Sequence, residues 1–74
     1  MEEDNKPQSE TVSRLRTLAH DLSNSIETIM QAAYLLAQVK LDDDNRRWLQ
    51  LIDKAAHDAA LINREIREIL RAQN

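Results

Sequence analysis

Apolar residues return along the first half of the chain at intervals of three and four: Val12, Leu15, Ala19, Leu22, Ile26, Ile29, Ala33 and Leu36. That spacing holds them on one stripe of an α-helix and predicts a helix over about residues 10–40. The pattern breaks at Leu41-Asp42-Asp43-Asp44-Asn45. These residues favour turns and N-caps, and the stretch is short enough to reverse the chain. Beyond it Trp48, Ile52, Ala55, Ala59, Ile62, Ile66 and Ile69 resume the alternation of four and three. A second helix is therefore expected over about 45–72, with Asp43 or Asp44 as its N-cap and the acid cluster at the positive end of its dipole. Ser9 or Thr11 is expected to cap the first helix, with Glu10 suited to its start. Residues 1–8, polar, acidic and holding the only proline, Pro7, read as a linker or frayed lead-in.

The expected fold is all-α, an antiparallel two-helix hairpin over residues 9–74. Further apolar residues flank both stripes: Leu18, Met30, Ala32, Ala37 and Val39 on the first helix, Leu51, Ala56 and Leu70 on the second. Stripes that wide suit two neighbours rather than one. A single core in 74 residues supplies only a few kcal/mol, and small domains of this kind commonly need disulfides, a metal or a second chain. The chain has no cysteine, so disulfides and thiolate ligands are excluded and association remains. The simplest closure is a homodimer of hairpins forming a four-helix bundle, with Ala19, Ala33, Ala55, Ala56 and Ala59 allowing close helix approach.

The totals exclude several functions. Glycine is absent, which removes every phosphate-cradling glycine loop, so the segment is not expected to bind ATP unaided. Ten basic against thirteen acidic residues give a net charge of −3 without a basic face, which argues against nucleic acid. The longest apolar run, residues 32–37, is far short of the roughly 20 residues that span a bilayer. No signal peptide is visible, and a soluble, cytoplasmic segment without membrane contact is expected.

The chemistry-bearing residues stand off the apolar stripe. His20 projects about 140° from its centre, and Asn24 lies one turn further along the same outer face. A histidine displayed there is free to meet a molecule arriving from solution. The run His20-Asp21-Leu22-Ser23-Asn24 resembles the H-box of sensor histidine kinases, in which a histidine, an adjacent acid and an Asn or Thr four positions on lie on the first helix of a dimeric hairpin. The resemblance extends from about Leu15 to the end of the second helix. It covers the dimerisation and histidine-phosphotransfer domain only.

What the resemblance implies is specific. His20 matches the phosphoacceptor, which attacks the γ-phosphoryl of ATP and passes the group to an aspartate of a response regulator. Asp21 matches the acid that orients the imidazole and accepts its other proton as general base. Asn24 matches the residue that positions water for dephosphorylating the regulator, a second activity. Ser25 stands where proline is frequent, so the associated helix bend is not implied. ATP and Mg are expected on a separate catalytic domain, and the partners are that domain, a receiver domain and a second copy of the hairpin. Ser13, Arg16, Thr17, Ser23, Glu27 and Gln31 are the positions around His20 on which a receiver is expected to dock.

Two other functions fit the same pattern. One is a stand-alone histidine phosphotransfer protein, although that monomeric family usually shows lysine and glycine soon after its histidine. The other is a structural helical dimerisation module with an incidental surface histidine. His57-Asp58 repeats the dipeptide with Leu61 where the amide would stand, and no role is assigned to it. No metal site is expected, because asparagine is a poor ligand and no second histidine lies at helical spacing from His20. Trp48 and Tyr34 read as packing residues. Arg46, Arg47, Arg64, Arg67 and Arg71 read as a solvated face shared with Glu65 and Glu68.

Overall fold

The structure, a computed structural model, describes residues 2–73, with side chains described from Ser9 to Gln73. It is a helical hairpin. Helix α1 spans Glu2–Leu36, helix α2 spans Asp43–Ala72, and residues 37–42 join them. The two lie side by side in a rod 62 Å long and 14 Å across in each other direction. The described residues include no strand.

Helix α1 begins at Glu2, so residues 2–8 are helix rather than the expected lead-in, and the helix runs through Ser9 and Thr11 without a cap at either. The helix continues through Pro7, which contributes no backbone N–H to its ladder. Met1 and the side chains of residues 2–8 lie outside the described set.

The chain also reverses earlier than expected, at 37–42 rather than 41–45. After Leu36 the helix tightens into three-residue closures: the Gln38 amide donates to the Leu35 carbonyl at 3.0 Å and the Val39 amide to the Leu36 carbonyl at 3.2 Å. The Gln38 side chain adds a bond to the Tyr34 carbonyl at 3.4 Å. The carbonyls left over at the helix end are thereby satisfied without glycine. Asp42, not Asp43 or Asp44, is the N-cap of α2. Its backbone is extended (φ −74°, ψ 172°) and its carboxylate accepts the Asn45 amide at 2.8 Å. Capping with the first acid of the row leaves the other two in the first turn, where the dipole favours them.

Packing between the helices is narrower than the apolar stripes. Ala19, Ile26 and Ala33 are buried from α1, with Val12 partly covered, and Leu49, Ala56, Asn63 and Leu70 from α2. Each set recurs every seven residues, as a single row of a coiled-coil seam does. The other half of the predicted α1 stripe, Leu15, Leu22, Ile29 and Leu36, remains 43–47% exposed. On α2 the seam lies one residue away from the predicted stripe. Trp48, Ile52, Ile62, Ile66 and Ile69 are 42–62% exposed, and Ala59 is only partly covered. Two cylinders meet along one line, so each covers one row of its neighbour and leaves the next uncovered. The chain, an elongated rod, exposes 6415 Å². A compact 8.6 kDa protein would expose about 4,700 Å², roughly 1,700 Å² less.

Candidate functional site

The site grows out of the middle of α1, where burial of Ala19 fixes what its neighbours face. At 100° per residue, His20 stands one step round from the seam and about 160° from the exposed row of Leu15, Leu22, Ile29 and Leu36. Its side chain is exposed, and the ring makes no hydrogen bond to another described residue. His57, also exposed, is held differently. Its Nδ1–H donates to the carbonyl of Asp53 one turn back at 2.8 Å, with the Asp53 carboxylate at 3.5 Å. One nitrogen of that ring is committed to its own helix.

Asn24 is exposed one turn beyond His20 on the same outer face. Its backbone carbonyl accepts the Thr28 hydroxyl at 3.0 Å, while its amide group makes no hydrogen bond among the described residues. Asp21 is exposed and points a further 100° round the helix; no hydrogen bond or ion pair joins it to His20 among the described residues. The structure thus brings His20 and Asn24 together on one face and leaves Asp21 beside them.

The turn carrying His20 is pinned from below by Asn63, the one buried polar side chain among the described residues. Its amide nitrogen donates both hydrogens across the seam, to the Ala19 carbonyl at 3.0 Å and the Ser23 hydroxyl at 2.6 Å. Its carbonyl oxygen is buried without a partner. Ser23, one of the expected docking positions, is half-buried and accepts this bond from Asn63. Arg16 and Thr17 are also engaged within the chain, the latter through its hydroxyl to the Ser13 carbonyl at 3.2 Å. The spacing Leu49, Ala56, Asn63, Leu70 was the available signal for Asn63, since a lone amide in an apolar row is a common register device.

The unpartnered oxygen gives a stability prediction. Leu49 and Leu70 already occupy buried positions in this row, so Asn63→Leu has a precedent for its volume there. Exchanging two ordinary hydrogen bonds for apolar burial and removal of an orphaned acceptor is expected to raise unfolding free energy by about 1–2 kcal/mol in denaturant titrations. A loss of stability would show that the two bonds outweigh the orphaned oxygen.

Across the seam from His20, α2 supplies cations that sequence reasoning placed on a plain solvated face. Arg16, His20, Arg67, Leu70 and Arg71 line a cleft of 220 Å³. A guanidinium nitrogen of Arg16 crosses to donate to the Leu70 carbonyl at 3.2 Å, near the end of α2, where last-turn carbonyls want donors. Arg67 and Arg71 form no ion pair with Glu65, Glu68 or any other described residue. An exposed ion pair of α2 lies elsewhere, Lys54 with Asp58 at 2.9 Å; the hydrogen bond and then the charge of Asp58 hold the Lys54 pKa above its ordinary value.

Among the described residues no group of three His, Cys, Asp or Glu is placed to hold a metal, and no helix is long and apolar enough to cross a membrane. Comparison with protein families, with characterised proteins and with solved structures found no match.

Proposed function

We propose that this hairpin is the phosphoacceptor and dimerisation domain of a sensor histidine kinase, working in the cytoplasm with ATP and Mg held by a separate catalytic domain. The observation that carries the reading is the placement of His20: an imidazole without a hydrogen bond among the described residues, on the outer face of α1, with Asn24 beside it and the uncovered apolar rows on the opposite side. A second hairpin covering Leu22, Ile29, Ile52 and Ile62 would leave His20 open to a nucleotide or a receiver.

In the proposed reaction a neutral His20 nitrogen attacks the γ-phosphorus in line. A nitrogen–phosphorus bond forms as the bond to the bridging oxygen breaks, and ADP leaves with that electron pair. Asp21 takes up the proton of the other ring nitrogen. A receiver aspartate then attacks the phosphorus and releases His20. Asn24, with a free amide on the same face, orients water for hydrolysis of the resulting acyl phosphate.

The test is to incubate the chain with labelled ATP, Mg and an ATP-binding domain that demonstrably phosphorylates a hairpin in trans. Acid-labile, base-stable label on this chain is the expected result. No label from a domain shown to be competent on its own hairpin overturns the reading in favour of a structural module.

A further inference from the structure

The cleft beside His20 gathers positive charge in a chain that is acidic overall. Thirteen carboxylates outnumber ten cations in the chain, yet among the described residues no carboxylate lines this cleft, which is formed by Arg16, His20, Arg67, Leu70 and Arg71. Glu27 lies further along, in the adjoining cleft with Arg64 and Arg67. The four polar members come from both helices. The antiparallel register in which Asn63 meets Ala19 and Ser23 brings the last turns of α2 level with His20. Leu70, buried, forms the floor, and Arg16 is steadied by its bond to the Leu70 carbonyl. Arg67 and Arg71 remain exposed with no carboxylate to neutralise them among the described residues.

We infer that this cleft is a binding subsite for a phosphate-type dianion, with Arg67 and Arg71 as its principal ligands and Arg16 at its edge. Guanidinium groups suit tetrahedral oxyanions because their fork of N–H donors meets two oxygens at once, and charge-assisted bonds of this kind are the stronger class. A site formed by two helices at a partly walled cleft also concentrates anions better than an isolated surface arginine. The use of the subsite rests on the phosphoacceptor reading: it would hold the phosphoryl group carried by His20 and offset its charge. The binding itself does not rest on that reading.

Inorganic phosphate titrated into the full chain at constant ionic strength, followed by the ring resonances of His20 and His57 and the Nε–H resonances of the arginines, tests the inference. Saturable shifts are expected at His20, Arg67 and Arg71 in the millimolar range, with His57 unmoved, and acetate at the same ionic strength should produce a far weaker response. Arg67→Gln with Arg71→Gln should weaken phosphate binding at least about ten-fold while circular dichroism keeps the helical content. Equal shifts at both histidines, an equal response to acetate, or unchanged binding by the double variant overturns the subsite. Phosphate binding here without label from ATP keeps the subsite and removes the kinase reading; label without phosphate binding does the reverse.

Discussion

Replacing His20 with glutamine is expected to remove all acid-labile label, and replacing His57 with glutamine is expected to leave labelling intact. Both histidines are exposed on a helix and both are followed by aspartate, so nearest-neighbour chemistry does not separate them. Their surroundings do. His57 donates Nδ1–H to the Asp53 carbonyl, whereas the His20 ring has no hydrogen bond among the described residues and stands beside Asn24 and the arginine cleft. Glutamine is a good helix former of similar polarity, and an exposed substitution of this kind usually alters stability by less than about 0.5 kcal/mol. Loss of label therefore reports on the nucleophile and not on the fold, because an amide nitrogen has no available lone pair for phosphorus. Asp21→Asn should be intermediate, slowing phosphorylation by about 10²–10⁴-fold, the usual contribution of a positioned general base. Label persisting in His20→Gln, or lost in His57→Gln alone, would sink the assignment.

The apolar periodicity was enough to read two helices, their antiparallel pairing and the outward direction of His20. It could not choose the seam on α2, because three adjacent rows are wholly or mostly apolar: Trp48, Ala55, Ile62 and Ile69; Leu49, Ala56, Asn63 and Leu70; Ile52, Ala59 and Ile66. A single neighbour covers one of them, and the row it covers is the one containing an amide, which a count of hydrophobic residues disfavours. The turn was misplaced for a local reason. No glycine or proline marks the end of α1, and its last carbonyls are closed by short-range bonds from Gln38 and Val39 that leave no trace in composition. The arginine cleft was invisible in sequence because His20 and Arg67 are distant along the chain. They meet only once the antiparallel register of the two helices is known.

Substituting glutamate for both Ile29 and Ile52 is expected to convert a folded dimer into a monomer that is at best marginally folded. The hairpin alone buries six apolar side chains and one amide among its described residues, none of them completely, a small core for two helices of 35 and 30 residues. Ile29 and Ile52 are already half covered within the chain, at 45% and 49% exposure. Completing their burial is therefore worth about half of the full value, roughly 3–6 kcal/mol for the four isoleucines of a dimer. Losing that weakens association by at least about 100-fold, and unpaired carboxylates in the seam add to the loss. Sedimentation equilibrium should give twice the 8.6 kDa chain mass for the wild type, with a thermal midpoint that rises with concentration. Leu61→Glu serves as the control: Leu61 is 59% exposed but faces away from both apolar rows, so its replacement should leave mass and midpoint nearly unchanged. A wild-type chain that sediments as a folded monomer, with a midpoint indifferent to concentration, would mean that the exposed rows meet no second copy. His20 would then belong to a lone hairpin, and the dimeric kinase architecture would fall with the interface even if the ring still accepted phosphate.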